Sequence, residues 1–361
     1  MKVVVAPDGF GGTLSALEAA EAIAAGWRDQ RPGDEVVTVP LSDGGEGLLA
    51  VLAAAEDRRV TVEVAGPQGH PVEAPFLLRP DGSAVIESAL ACGLALVPED
   101  RRTPMVATTF GVGELLEAAR GAGARRILVG LGGSATVDGG AGALLGLGFR
   151  VLVEDGSGLK IGGDDLRRVA AVERGWSADW ADVEVELLAD VTTALPDAAR
   201  VFGPQKGASP EDVETLTAAL ERWADVVERD LVPGRALREE PATGAAGGLG
   251  FALAAAIGAR FRVGSVVVGD LVGLPDAVQT ADLVITGEGR LDATTGQGKV
   301  VDHVTGLARA AGRPVQAVVG QVRDHPGTLD DVEAAAPDGP GEDPSAEVAA
   351  AARRLATRFG G

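Results

Sequence analysis

Lys2-Val3-Val4-Val5-Ala6-Pro7-Asp8-Gly9-Phe10-Gly11-Gly12-Thr13 opens the chain, and the reading of this stretch decides the fold. Lys2 to Ala6 is a short apolar, β-branched run, as expected of a parallel strand buried on both faces. Pro7 and Asp8 stop it, and a glycine-rich loop follows. Ser15 and Glu18 have capping-box spacing. Leu17, Ala20, Ile23, Ala24 and Trp27 then mark one face of a helix to about Arg28. Glu35 to Leu41 is the next expected strand. Ser42-Asp43-Gly44-Gly45-Glu46-Gly47 leads from it into another helix, with Asp43 as its cap. Strand, helix, strand, helix in this order implies a parallel sheet.

From Val60 the texture changes. Val60 to Val64 and Val72 to Leu78 alternate like hairpin strands around Gly66-Pro67-Gln68-Gly69. Ala84 to Glu87 and Arg126 to Leu131 read as strands, with a helix over Gly113 to Ala122 between them. Pro210 to Val227 reads as a helix capped by Ser209, with Val213, Leu216, Leu220, Trp223 and Val227 on one face. Gly244 to Leu249 opens an alanine-rich helix to about Ile257. Ala281 to Thr286 and Val315 to Val319 are further strands. The acidic, Pro- and Gly-rich stretch from Asp324 to Ser345 reads as a solvated loop before a last helix to Arg358.

The 361 residues suffice for two domains with real cores. Glycine is unusually common, at 52 residues, without a three-residue period, so collagen is excluded. The net charge of −21 repels nucleic acid and anionic membranes, and no basic run offsets it. The single cysteine, Cys92, cannot form an intrachain disulfide, which fits a reducing, cytoplasmic setting. The N-terminal apolar stretch is too short for a signal peptide, and no segment has 18 uninterrupted apolar residues.

Glycines and carboxylates collect at five strand ends: around Asp8, at Asp43 and Glu46, from Gly132 to Asp138, at Asp190, and from Gly287 to Asp292. In an open α/β sheet, ligands sit beyond the carboxyl ends of strands. Backbone N–H groups at helix starts suit phosphate oxygens, and glycine permits close approach. Carboxylates there can hold Mg²⁺ or take a proton from a hydroxyl. Each loop alone also reads as a simple turn, and Asp43 as a plain helix cap. Other chemistries lack their residues. His70, His303 and His325 are scattered without zinc spacing, Ser134 lacks a Gly-x-Ser-x-Gly elbow, and Gly298-Lys299 does not complete a Walker A motif.

Taken in order, these loops resemble the bacterial glycerate kinase family of the 2-phosphoglycerate-forming type. The stretches that carry the resemblance are Ala6 to Phe10, Leu14-Ser15-Ala16, Asp43 to Gly47, Thr108 to Glu114 and Gly130 to Thr136. They continue with Val201 to Ala208, Gly244 to Leu249, Thr286 to Asp292 and Gly298-Lys299. The resemblance implies a Rossmann-like or flavodoxin-like parallel-sheet domain from residues 1–60 and 240–361, carrying an inserted α/β domain over 61–239, with the active site in the cleft between them. It implies ATP- and Mg²⁺-dependent phosphorylation of D-glycerate, with no nucleic-acid or membrane partner and with a homodimer allowed. Asp8 or Asp190 would take the hydroxyl proton, and Lys206, Arg290 and Lys299 would balance phosphate or substrate charge. Gly132, Gly133, Ser134, Gly247, Gly248, Gly287 and Gly289 would bind the nucleotide, and Asp43, Glu46, Glu288 and Asp292 would hold the metal. The chain departs from the family pattern at Gly9, Gly11, Val137, Thr193, Ala194 and Thr294. Those departures keep open a non-catalytic sensor of a phosphorylated metabolite on the same fold; a phosphosugar isomerase, which would need no nucleotide, is a further alternative.

Overall fold

The computed structural model describes residues 1–291, 299–323 and 327–359. It divides into two compact units. The first comprises Met1–Asp43, Ala50–Leu52 and Val263–Gly361, the second Gly44–Leu49 and Ala53–Arg262. In chain order the first unit supplies β1 (Lys2–Pro7) and β2 (Glu35–Thr38). The second supplies β3 (Arg58–Ala65), β4 (Pro71–Leu78), β5 (Ser83–Glu87), β6 (Arg126–Gly130), β7 (Arg150–Val153), β8 (Val169–Glu173), β9 (Glu184–Leu188) and β10 (Arg260–Arg262). The chain returns to the first unit for β11 (Leu283–Leu291), β12 (Val315–Val322) and β13 (Asp331–Ala334).

The first unit is a five-stranded sheet in the order β13-β12-β11-β1-β2. Every neighbouring pair is parallel. The chain runs outward one way from β1 to β2 and the other way from β11 through β12 to β13, so the order reverses between β1 and β11. Val3, Val5, Leu283, Ile285 and Val318 bury the sheet against Ile23, Trp27, Ala351 and Leu355 of two helices, Ala16–Gln30 and Pro344–Arg358. Gly26 is where those helices meet, because a Cβ there would collide with the Ala349 carbonyl. The expected capping box is present: Ser15 Oγ accepts from Glu18 N at 3.2 Å, and Glu18 Oε2 accepts from Ser15 N at 2.8 Å.

The second unit holds a six-stranded sheet, β10-β9-β6-β5-β4-β3, and a separate β7-β8 pair. Its strands are parallel from β10 to β5 and antiparallel across β4 and β3, where the expected hairpin lies. Its core includes Phe76, Ile86, Leu115, Ile127, Trp223 and Phe251. The helix Pro210–Asp230 has the expected Ser209 cap, with Ser209 Oγ accepting from Asp212 N at 3.2 Å.

Three expectations need correction. Asp43 was expected to cap the helix after β2, but that helix, Leu48–Leu52, has Gly47 as its N-cap. The residue range expected for the insertion ended at 239, but the second unit runs on to Arg262. The apolar helix Ala245–Ile257 packs into that unit's core, and β10 pairs with β9. The stretch expected to be wholly loop after Asp324 contains β13, which pairs in parallel with β12. Its acidic residues are held by the last helix: Arg358 Nε lies 2.9 Å from Asp331, and Arg358 Nη1 lies 2.6 Å from Glu333.

Candidate active site

Ligands of open parallel sheets bind where strand order reverses, beyond the carboxyl ends. In the first unit that point lies between β1 and β11, where Pro7 pairs with Gly287. Asp8 N continues the tie by donating to Gly287 O at 2.9 Å. The Asp8 carboxylate turns back on its own loop, with Oδ1 accepting from Gly9 N at 2.7 Å. A cleft of about 430 Å³ opens here, within the range of ligand pockets. Asp8, Asp43, Glu288, Gly289, Arg290 and Lys299 all line it. Glu288 is only 8% exposed although β11 delivers it to the cleft. Lys299 is the N-cap of the helix Val300–Ala310, so that helix starts directly after it. Four carboxylates, Glu347 among them, and two cations gathered in one cleft suit an anionic substrate handled with a divalent ion. Other lining residues were not foreseen: Gln321, Ala335, Pro340, Pro344 and Glu347 come from β12, the segment after β13 and the start of the last helix.

Gly287 sits within β11, and a Cβ there would collide with Val318 O. Gly289 lines the cleft, and a Cβ would lie 3.0 Å from the Phe10 carbonyl carbon. Both positions therefore have a packing reason to be glycine. Asp292 lies outside the described residues, as do Thr294 and Gly298.

The remaining expected residues lie in the second unit. The loop after β6 meets the loop that begins at Gly44. A Cβ on Gly132 would come within 2.5 Å of Gly45 Cα, and one on Gly133, whose φ is +61°, within 2.6 Å of Glu46 Oε1. Ser134 is buried, and Lys206 lies behind it with only 3% exposure. The Lys206 ammonium donates to Ser134 Oγ at 2.8 Å and to Thr136 O at 2.7 Å, with the Phe202 ring 5.9 Å away. Burial pulls its pKa down to about 8, against weaker opposing effects of Cys92 and Asp138. Gly247 and Gly248 adopt left-handed backbone, at φ +68° and +93°, inside the helix Ala245–Ile257. They pack on Thr136 and Gly139 without room for side chains. Asp190 is half-buried just beyond β9.

Asp138, noted in the sequence as the carboxylate of the Gly132 to Asp138 loop but given no role, organises this loop. Its buried carboxylate accepts from Thr109 N at 2.8 Å, Thr109 Oγ1 at 2.9 Å, Gly140 N at 3.1 Å and Gly142 N at 3.2 Å. Burial nevertheless pushes its pKa up. The available signal was an acidic residue directly before Gly139-Gly140 at a helix start. The Cys92 thiol is buried and its pKa is pushed up to about 12 by burial, which removes it as a nucleophile.

Among the described residues, no three His, Cys, Asp or Glu side chains form a ready metal cage. Asp43 and Glu288 share the first unit's cleft, whereas Glu46 belongs to the second unit beside Gly133. One or two carboxylates still match Mg²⁺, which keeps several waters and completes its shell with substrate phosphates. No helix among the described residues is long and apolar enough to cross a membrane.

A parallel sheet with a charged cleft at its switch point places the chain among α/β proteins that bind ligands beyond the carboxyl ends of their strands. The chain belongs to the glycerate kinase family, whose model matches residues 3–359. It is 43% identical over 328 residues to the glycerate kinase of Bacillus subtilis strain 168, spanning 89% of this chain and 85% of that one. It is 38% identical over 335 residues to the glycerate 2-kinase of Escherichia coli K12, spanning 91% and 87%. A crystal structure from Salmonella typhimurium LT2, of a protein proposed to be glycerate kinase 2, superposes with a TM-score of 0.82 at 40% identity, covering 99% of this chain and 97% of that chain. The fold is thus the mixed α/β arrangement with parallel sheets expected from the sequence. The enzyme is a kinase, with ATP-dependent phosphorylation as its general kind of reaction.

Proposed function

We propose that the chain phosphorylates D-glycerate on its C2 hydroxyl, using Mg-ATP and giving 2-phosphoglycerate. The observation that carries this reading is the convergence of Asp8, Asp43, Glu288, Arg290 and Lys299 on one cleft at the switch point of a parallel sheet. Relatives named glycerate kinase and glycerate 2-kinase support the substrate and the product.

In this reading Asp8 accepts the C2 hydroxyl proton as the substrate oxygen bonds to the γ-phosphorus and the bond from that phosphorus to the β-phosphate bridge breaks. Arg290 and Lys299 offset charge on the carboxylate and the transferring phosphoryl group. Asp43 and Glu288 are the cleft residues that would hold Mg²⁺, which when bound neutralises phosphate charge. Lys206 acts from behind the Gly132–Thr136 loop, fixing Ser134 and Thr136 rather than touching substrate. Asp190 is the other candidate base. The setting is the cytoplasm, where ATP is supplied and a lone buried cysteine stays reduced.

The test is ADP release from Mg-ATP, with and without D-glycerate, and phosphorus NMR of the product. Glycerate-dependent ADP and a 2-phosphoglycerate signal are expected. No ADP across a panel of small hydroxy acids would refute the kinase reading in favour of a sensor. A 3-phosphoglycerate signal would refute the regiochemistry. Comparing Asp8→Asn with Asp190→Asn identifies the base, since the true base should lose turnover far more than binding.

A further inference from the structure

β5 ends in Glu87 followed by Ser88, alongside the end of β6, with Glu87 in register with Gly130. Glu87 is only 6% exposed. Both of its carboxylate oxygens are engaged by backbone some 40 residues earlier in the chain: Oε1 accepts from Gly47 N at 3.0 Å and Oε2 from Leu49 N at 3.2 Å. The short helix Leu48–Leu52 has a left-handed glycine, Gly47, as its N-cap and no cap from its own side chains. Glu87 supplies those missing acceptors. Ser88 holds the other loop, donating from N at 3.1 Å and from Oγ at 2.7 Å to Gly130 O.

Two consecutive residues therefore grip two glycine loops, one by its N–H groups and one by its carbonyl. The loops themselves touch through positions without side chains. A Cβ on Gly130 would collide with Gly44 O, and Gly132 and Gly133 meet Gly45 and Glu46 in the same way. A carboxylate is a costly choice for so buried a place, since an apolar residue would fill the core without desolvation. Burial indeed pushes the Glu87 pKa up and Glu46 adds to the rise, while the two backbone N–H groups and Arg59 oppose it. What the carboxylate gives in exchange is a pair of charge-assisted bonds that set the position of one loop. That loop continues directly from Asp43, which lines the cleft, and carries Glu46.

We propose that Glu87 is a positioning residue for phosphoryl transfer: it fixes the Gly44–Leu49 segment against the Gly130–Gly133 loop, and so holds the Glu46 carboxylate and the backbone that runs out of Asp43. This rests on the kinase reading of the site. Glu87→Gln tests it, because the amide keeps the volume but turns one acceptor into a donor facing a backbone N–H. At a temperature well below both thermal midpoints, kcat should fall about tenfold or more, while KM for D-glycerate stays within about twofold. Hydrogen exchange in the 43–52 segment should quicken by a similar factor. Glu87→Asp, which keeps the charge one methylene short, should fall between Gln and wild type, and it replaces Gln if that variant does not fold. A variant with normal kcat per folded molecule refutes the proposal, whether or not its midpoint drops, and so does unchanged exchange. If the wild type makes no ADP with glycerate or with any of the other small hydroxy acids, the kinase reading fails and takes this proposal with it. An active wild type beside an unimpaired variant defeats this proposal alone.

Discussion

Replacing Lys206 by methionine should change how stability depends on pH in a direction opposite to that of a surface lysine. The wild-type ammonium is held by two neutral oxygens, Ser134 Oγ and Thr136 O. Burial takes its pKa from 10.5 to about 8. At 1.36 kcal/mol per pH unit, carrying the charge below pH 8 costs the folded state about 3 kcal/mol relative to the neutral amine. Between pH 8 and 10.5 the unfolded chain binds the proton and the folded chain does not, so wild-type stability gains with rising pH. The lysine's contribution is fully present above 10.5 and lost as pH falls through 8. Methionine has the length but no proton to lose. It removes that cost at neutral pH and leaves two acceptors unpaired, worth about 1–3 kcal/mol each. The variant should therefore lie near wild type in urea at pH 7 and fall behind by about 3 kcal/mol more at pH 10.5. Equilibrium urea unfolding of both proteins at several pH values reads the difference directly. A wild-type-minus-variant difference that stays flat from pH 7 to 10.5 would refute a buried ammonium with a lowered pKa.

Three further changes separate folding from chemistry. Asp138→Ala leaves four buried donors without their acceptor and should cost about 3–5 kcal/mol in urea unfolding, whereas a loss under 1 kcal/mol would mean those bonds contribute little. Gly247→Ala places a Cβ against the Thr136 carbonyl at φ +68°, so its thermal midpoint should drop, with a cost of about 2–4 kcal/mol. An unchanged midpoint would contradict that packing. Lys299→Met should lower turnover by about 10²–10³ with the midpoint unmoved, and near-normal turnover would remove Lys299 from the phosphoryl path.

The sequence spoke clearly where local rules coincide. The run from Lys2 to Ala6, the Ser15–Glu18 capping box and the Ser209–Pro210 helix start are each set by residues within a few positions, and each element stands where it was expected. β10 and β13 were missed because their identity is not local. Arg260-Phe261-Arg262 and Asp331-Val332-Glu333-Ala334 are short and charged, and only β9, β12 and the arginines of the last helix make strands of them. The cleft divides the same way. Its charged side was legible from Asp8, Asp43, Glu288, Arg290 and Lys299, whereas Gln321 and Glu347 reach it only through tertiary folding.

The glycines mark the limit of motif reading. A sequence shows that a Cβ is missing but not what takes its place. At Gly132, Gly133, Gly247, Gly248 and Gly287 the space belongs to protein atoms: Gly45, Glu46, Thr136, Gly139 and Val318 respectively. Each would have to be glycine with no ligand present, so its occurrence in a phosphate-type motif carries little weight by itself. Charged residues in the cleft carry more. Burying the Glu288 carboxylate at the end of a sheet costs desolvation that packing alone gives no reason to incur. That makes substitutions of Asp8, Glu288 and Lys299 sharper probes of the chemistry than any glycine: loss of turnover without loss of fold can come from these side chains, whereas a new Cβ at the packed glycines disturbs both at once.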